Sequence, residues 1–240
     1  MKKINKRAKV QIITNVVLCT VIALVFTVGF LPNKALPIYG GKNVTAIYNG
    51  NRERANVSLM FNVYENTEIV NKIVDVLNKK CVKATFFVGG CWADDNKDTL
   101  IRIVGYGHEL ANHGYFHKDH KKLNYEKNHE EIYLTGIIVK ALCGKDLSLF
   151  APPSGSFGVT TLDVCSDLGY SLIMWSKDTI DWRDNTVDLI IKRATKNPEN
   201  GDLILMHPKP HTLSALESII DFYLEKGFSI VTVGENISVN

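Results

Sequence analysis

The segment NHGYFHKDH, residues 112–120, carries three histidines at spacings that suit metal binding. His113 and His117 lie four positions apart, and His120 follows three positions later. Two imidazoles at the first spacing can face one ion, and a hydrolytic zinc site usually adds a third protein ligand, often a carboxylate. Such a pair is also common among ordinary surface histidines, so the segment needs support from the rest of the chain.

Other polar residues follow other predicted strands. Asn62 ends VSLMFNV, Pro153 follows LSLFA, Asp181 comes after YSLIMWS, and His207 ends GDLILMH. Strands alternate with helices from VSLMFNV to a last predicted strand, FSIVTVGE, which indicates a parallel sheet with helices outside, open or closed into a barrel. Barrels of this type carry functional residues at the C-terminal ends of their strands. We therefore expect these residues to meet the histidine pair at one face of the fold.

The composition suits one globular domain with an appendage. The 240 residues are 45% hydrophobic and 22% charged, which is enough for a full core. A net charge of +3 is too small to indicate nucleic-acid binding. The sequence contains no CxxC pair, and it leaves open whether the cysteines beyond residue 31 form disulfides or stay as buried thiols.

The appendage is predicted at the N-terminus. Residues 1–9 carry five basic side chains, and residues 10–31 carry no charge. As a helix the second segment would be roughly 33 Å long, which spans a bilayer core. A basic flank predicts a cytoplasmic N-terminus and an exported remainder. We expect a transmembrane anchor at 10–31, a stalk at 32–54 and a domain at 55–240, hence a single-pass cell-membrane protein with its C-terminal domain outside. A cleaved signal peptide, which would release a secreted domain, is the alternative.

Six segments occur in a familiar order: VSLMFNV, KATFFVGG, GHELANHGYFH, LFAPPSG, MWSKDTIDW and LILMHP. This order resembles the polysaccharide deacetylases, the NodB-homology or carbohydrate esterase family 4 domain, over residues 55–235. The resemblance implies an α/β fold, a distorted (β/α) barrel. It also implies metal-assisted removal of acetyl groups from N-acetylated sugars in a cell-wall polysaccharide such as peptidoglycan or a chitin-like polymer, with zinc as the expected ion.

The resemblance assigns roles to individual residues. His113 and His117 match two metal ligands of the family, His207 matches its general acid, and Asp181 matches the carboxylate that orients that acid. The ion would polarise the amide carbonyl and acidify a bound water, while the acid would protonate the leaving amine. The expected substrate groove is lined by Tyr115, Pro153 and Trp182.

The first motif of the family is altered. The family has Thr-Phe-Asp-Asp-Gly, where the first aspartate is the general base and the second is a metal ligand; this chain has MFNVY at residues 60–64. Asn62 stands at the position of the base and Val63 at the position of the ligand. The arginine that steers the base is Ala151 here. Because a buried arginine without its carboxylate costs several kcal/mol, the joint loss indicates a site remodelled as a unit.

Three functions fit this altered motif. In the first, which the retained metal-site histidines favour, deacetylation persists with a substitute carboxylate from Glu65 or Glu68, with Asp119 and His120 as weaker candidates. The alternative is a catalytically inactive glycan-binding pseudoenzyme of the cell envelope. The third is a structural or partner-binding protein that uses the barrel as a scaffold. The position of the two glutamates relative to the histidine pair distinguishes the first two.

Overall fold

The structure is a computed structural model that describes residues 45–238 together with residues 5, 7, 9, 11 and 14–21. The chain divides into two compact units, Met1–Gly41 and Lys42–Asn240. Residues 14–21 of the first unit are helical. In the part of the chain that is described, no helix is long and apolar enough to cross a membrane. The anchor predicted at 10–31 lies largely outside the described residues and stays a prediction.

In the second unit, strands and helices alternate along the described residues. The strands are β1 (Asn56–Val63), β2 (Thr85–Val88), β3 (Glu109–Asn112), β4 (Leu149–Phe150), β5 (Ser171–Leu172), β6 (Lys177–Asp178), β7 (Asp202–Met206) and β8 (Ser229–Ile230). The helices are α1 (Thr67–Lys79), α2 (Gly90–Asp95), α3 (Lys97–Gly105), α4 (Tyr125–Cys143), α5 (Val159–Leu168), α6 (Val187–Thr195), α7 (Pro210–Glu225) and α8 (Val233–Ile237). Short 3-10 turns lie at His120–Lys122 and Pro153–Gly155.

The strands form one parallel sheet in the order β5-β4-β3-β2-β1-β7-β6, and β8 pairs with the start of β1. Residues 173–176 connect Leu172 at one edge of the sheet to Lys177 at the other. So short a connection spans less than about 20 Å, and the two edges must therefore lie close together. Within the described residues no ladder joins β5 to β6, so the sheet is a curled, open barrel. The predicted distorted (β/α) barrel is confirmed.

Side chains of β1 alternate between two layers, as in any strand. Leu59, Phe61 and Val63 pack in the large apolar cluster under the outer helices. Met60 packs in a second cluster inside the barrel, which places Asn62 on the same inner face. The two altered positions of the first motif therefore point in opposite directions, Asn62 inward and Val63 outward.

The end of the chain differs from its prediction. FSIVTVGE was expected to be a strand, but only Ser229–Ile230 is, and Val233–Ile237 is a short helix. The hydroxyl of Thr232 accepts a hydrogen bond from the backbone N–H of Glu235 and caps this helix. Threonine followed three residues later by glutamate is a helix-start signal that outweighs the apolar run before it. Within the predicted stalk, Ile47 forms an isolated parallel bridge with Ile173.

Candidate functional site

A cavity of about 460 Å³ opens beside the C-terminal ends of β1, β3 and β7. Asn62, His113, His117, Trp182 and His207 all line it, so five residues singled out in the sequence meet in one place. They lie at the ends of four strands or in the loops that follow, with both His113 and His117 after β3, which is the arrangement expected of a barrel of this type.

The histidine pair is held by hydrogen bonds and by packing. Nδ1 of His113 donates to the carbonyl oxygen of Ala151 at 2.7 Å, which leaves Nε2 as the ring nitrogen available to a ligand. Burial lowers the pKa of His113 to about 3, helped by the nearby His117. The ring centroids of the two histidines lie 5.1 Å apart. His117 has φ 54°, a left-handed conformation that is uncommon outside glycine.

The loop between the two histidines is supported from behind. The Glu131 carboxylate accepts the backbone N–H of Phe116 at 2.7 Å. His120 is fully buried and its Nδ1 donates to Asn128 Oδ1 at 2.7 Å. Asp119 accepts a hydrogen bond from Ser156 at 2.6 Å and pairs with Lys122. Asp119 and His120, the weaker candidates from the sequence, therefore hold this loop in place, and neither belongs to the lining of the cavity.

His207, which lines the cavity, is hydrogen-bonded to Asp181. Nδ1 of His207 donates to Asp181 Oδ1 at 2.7 Å, and its backbone N–H donates to Oδ2 at 2.7 Å. The hydroxyl of Thr212 donates to the same Oδ2 at 2.6 Å. Burial would raise the pKa of Asp181, but the hydrogen bonds from His207 and Thr212 outweigh it and hold that pKa below its usual value. Thr212 lies two positions into α7 and carries no sequence signal for this role.

The residue before Asp181 adopts an unusual conformation. Ile180 has φ 56°, which a β-branched residue rarely adopts. Its backbone N–H donates to Asp178 Oδ1 at 2.7 Å, so Asp178 stabilises the turn that aims Asp181 at His207. Asp178 also lines the cavity. Strained backbone of this kind is concentrated at functional sites.

Comparison with known proteins identifies one family. The sequence model of the polysaccharide deacetylase family matches residues 49–173. A peptidoglycan-N-acetylglucosamine deacetylase of Bacillus cereus is 31% identical over 191 residues, covering 78% of this chain and 70% of that protein. The chain belongs to the polysaccharide deacetylase family. This finding confirms the resemblance inferred from the six motif segments.

Two further relatives matter because one of them is a pseudoenzyme, which bears on whether this chain is catalytically active. The uncharacterised protein YlxY of Bacillus subtilis is 35% identical over 189 residues, which make up 79% of this chain but only 59% of YlxY. The solved structure of a carbohydrate esterase family 4 pseudoenzyme from Bacillus anthracis matches with a TM-score of 0.79 and 32% identity, covering 81% of this chain and 69% of that one. A mutant of that pseudoenzyme with restored enzymatic activity matches equally well, with a TM-score of 0.79 and 30% identity.

The separation of the histidine rings suits one bound ion, but the position that matches the third ligand in the family motif holds no carboxylate. An ion bound tetrahedrally at zinc–nitrogen distances of 2.0–2.1 Å places two imidazole centroids about 5 Å apart, close to the separation seen here. Val63, which the resemblance matches to the family's third ligand, has a side chain that is fully buried in the outer apolar cluster. Across the described residues, no group of three His, Cys, Asp or Glu side chains is arranged to hold a metal ion. The donor set therefore does not fit a three-ligand deacetylase site.

Neither proposed substitute carboxylate is free to complete the pair. Glu68 is directed to solvent, with its side chain 81% exposed and bonded to Lys72 at 2.6 Å, and it does not line the cavity. A hydrogen bond from Lys72 lowers the pKa of Glu68. Glu65 does line the cavity, but its carboxylate pairs with Lys209. The deacetylase hypothesis with Glu68 as the substitute therefore has no support from the geometry.

The resemblance matches Asn62 to the family's general base. It is only 5% exposed, and within the described residues its Oδ1 is buried without a hydrogen-bond partner. An amide is not a base near neutral pH, and a buried unpaired carbonyl costs about 1–3 kcal/mol. Ala151, which the resemblance matches to the family's steering arginine, packs in the inner apolar cluster and offers no donor side chain.

Of the three residues predicted to line the substrate groove, one lines the cavity and two do not. Trp182 lines the cavity and is 56% exposed, with the Arg183 guanidinium 5.8 Å from its ring centroid. Tyr115 packs on Gly90 and Pro153 is buried, and neither is part of the cavity lining. The aromatic residues that do line it beside Trp182 are Tyr64 and Trp175.

Proposed function

We propose that this chain is a pseudoenzyme that binds a cell-wall glycan in the cavity without removing acetyl groups. The observation that carries the proposal is the end of β1, where Asn62 and Val63 stand in place of the family's two carboxylates. Loss of a general base alone lowers a rate by about 10²–10⁴-fold. Loss of the ligand as well leaves two imidazoles of the three protein donors that such an ion usually takes.

The site residues that still match the family pattern also make hydrogen bonds that stabilise the fold. Asp181 accepts three hydrogen bonds, two of them from His207, and His113 donates to Ala151. Removing either side chain would leave buried partners unsatisfied. Their retention is therefore expected even in a protein that performs no hydrolysis.

The lining of the cavity suits a sugar polymer. Tyr64, Trp175 and Trp182 offer aromatic faces, while His207 and Lys209 offer polar groups. Aromatic faces with a few directed polar groups are typical of small-molecule sites. Relatives named as deacetylases of peptidoglycan N-acetylglucosamine and N-acetylmuramic acid support a peptidoglycan-type strand as the ligand.

We place the protein at the cell envelope. The basic residues 1–9 followed by the uncharged residues 10–31 support a single-pass membrane protein with its C-terminal domain outside, or a secreted domain if the segment is cleaved. A peptidoglycan-type ligand would be accessible from either location.

Metal-dependent deacetylation is the second candidate, and one observation favours it. Glu65 lines the same cavity as His113 and His117. A divalent ion, with zinc as the expected one, would then polarise the acetyl carbonyl. Glu65 would first have to leave Lys209 to serve as a ligand or base.

The test measures binding and turnover on the same preparation. The full chain is titrated with N-acetylated peptidoglycan fragments and chitin oligosaccharides by calorimetry, and released acetate is assayed with and without added zinc. We expect saturable binding without acetate release. Trp182→Ala should weaken binding by roughly 2–10-fold, since ring contacts contribute about 0.5–1.5 kcal/mol, whereas Leu224→Ala on an exposed outer helix should not change it. Zinc-dependent acetate release that disappears in Glu65→Gln would instead support the second candidate.

A further inference from the structure

The histidines of the cavity offer hydrogen-bond acceptors to a ligand. Nδ1 of His113 donates to the carbonyl of Ala151, and Nδ1 of His207 donates to Asp181. In a neutral imidazole that carries its proton on Nδ1, the other nitrogen, Nε2, has a lone pair and accepts hydrogen bonds. Both histidines line the cavity, so in their neutral form each leaves Nε2 as an acceptor for a bound molecule.

Asn62 and Asp178 add oxygen acceptors to the same lining. Oδ1 of Asn62 is buried and has no hydrogen-bond partner among the described residues. A buried acceptor without a partner costs free energy, and a donor brought by a ligand would remove that cost. Oδ1 of Asp178 accepts the backbone N–H of Ile180 at 2.7 Å, which leaves Oδ2 for a second donor.

Strand register brings three of these residues next to one another. β1 and β7 are paired as far as Phe61 and Met206, so the residues that follow, Asn62 and His207, lie side by side. Asp178 belongs to β6, the strand on the other side of β7. Because adjacent strands lie about 4.8 Å apart, His207 has Asn62 on one flank and Asp178 on the other. The three acceptors therefore share one part of the cavity.

The charge of the lining favours a cation. Among the described residues that line the cavity, Lys209 is the one lysine or arginine, and its ammonium pairs with Glu65. The nearby Arg183 guanidinium pairs with Asp184. With neutral histidines, the carboxylate of Asp178 is the charge of the lining that remains unbalanced. An ammonium group has three donors, no acceptor and an attraction to aromatic rings, and it complements such a site.

An acetamido group is a poorer match. Its amide N–H is one donor, but its carbonyl oxygen is an acceptor and needs a donor of its own. In metal-dependent hydrolysis an ion meets that oxygen. In this chain the Nδ1–H groups of His113 and His207 are already used by Ala151 and Asp181, so the neutral rings offer lone pairs to the cavity. An acetyl oxygen beside them would stay unpaired.

We propose that the cavity selects a deacetylated amino-sugar polymer, and that the free ammonium group of a glucosamine unit binds between Asn62, His207 and Asp178. The inference rests on the proposed function and names its ligand as a peptidoglycan-type strand with amino groups that carry no acetyl. A deacetylation reaction must then come before binding. The chain recognises the product of that reaction in preference to its substrate.

The test compares two tetrasaccharides that differ in one group. One is the N-acetylglucosamine tetramer, and the other is the same tetramer with a single free amine. Each is titrated into the full chain at pH 7 and followed by isothermal titration calorimetry. We expect the free-amine tetramer to bind roughly tenfold more tightly, the effect of about one added hydrogen bond between charged and polar groups.

Two variants locate this preference in the cavity. Asn62→Leu removes the unpaired oxygen at similar volume, and Asp178→Asn removes the charge while its amide oxygen can still accept from Ile180. Each should lower the ratio of the two affinities by roughly threefold or more. The control is Asp188→Asn, which removes an exposed carboxylate in the first turn of α6 away from the cavity lining and should leave the ratio unchanged.

Thermal unfolding of every variant establishes that a changed ratio comes from a folded protein. Equal affinity for the two tetramers, or tighter binding of the fully acetylated one, would overturn the preference and leave the proposed function intact. A preference that persists unchanged in both folded cavity variants would overturn the assignment of the amine to Asn62 and Asp178. If neither tetramer bound to the wild type, the proposed function would itself fail, and the preference with it.

Discussion

Replacing Asp181 by alanine removes a carboxylate that no solvent reaches and that three donors share. Its side chain has 0% exposure, and it accepts the ring N–H and the backbone N–H of His207 and the hydroxyl of Thr212. In Asp181→Ala all three donors lose their partner at once. The change therefore tests whether this part of the site is retained for stability.

The expected cost follows from these contacts. An unsatisfied buried donor costs about 1–3 kcal/mol, and His207 is 22% exposed at its side chain, which lowers its share. Removing one partner of a buried pair costs about 3–5 kcal/mol in comparable cases. We expect Asp181→Ala to lose a similar amount, a large part of the 5–15 kcal/mol of a typical domain.

Asp181→Asn is the matched control. The amide oxygen can keep both bonds now made by Oδ2, and the amide NH₂ can donate to Nδ1 of His207 if that ring moves its proton to Nε2. The asparagine variant should therefore lose only about 1 kcal/mol and should change the tautomer of His207, which ¹⁵N NMR of the imidazole detects.

The assay is urea unfolding of each variant at pH 7, followed by far-UV circular dichroism and analysed by linear extrapolation. A loss below about 1 kcal/mol in Asp181→Ala would refute the reasoning, because three buried donors would then be satisfied without the carboxylate. In that case the retention of Asp181 would again favour chemistry at His207.

Three further outcomes are expected. Hydrogen bonds from Arg183 and Arg193 lower the pKa of Asp184 to about 2, so the stability that this carboxylate contributes above about pH 4 should be lost as the pH falls toward 2. Unfolding midpoints measured between pH 7 and pH 2.5 should therefore fall less in Asp184→Asn than in the wild type. Gly89→Ala should lose about 1–3 kcal/mol in urea unfolding, since its Cβ would lie 2.2 Å from a ring carbon. Gly105→Ala should gain about 0.5–1 kcal/mol in the same assay, because this helical position has open space around it.

Local sequence patterns were sufficient to predict most of the helices and strands. The apolar spacing in TEIVNKIVDVLNKK is that of an amphipathic helix, and the structure has a helix at Thr67–Lys79 with Val70, Ile73, Val74 and Leu77 buried. The alternation of strands and helices predicted the parallel barrel. The prediction of a strand at the end of the chain was wrong, because Thr232 caps a short helix there despite the apolar run that precedes it.

The candidate site was only partly predictable. The order of the motif segments identified His113, His117, Asp181 and His207, and the structure brings the three histidines to one cavity. The separation of Glu65 from Glu68 was not predictable, because it depends on the left-handed turn at Asn66 that starts α1. The local sequence does not indicate whether Glu68, near the start of α1, points toward the cavity or toward solvent.

By itself, the sequence determined the family, the barrel and the loss of two carboxylates, because motif order, periodicity and residue type are local properties that can be read along the chain. Only the tertiary structure decided that Glu68 faces solvent, that Glu65 pairs with Lys209, and that the ring of Tyr64 packs against both Gly89 and His117. The contacts of Glu65 and Tyr64 join residues from different loops that are distant along the chain. Their positions follow from the curl of the sheet and the packing of the loops above it.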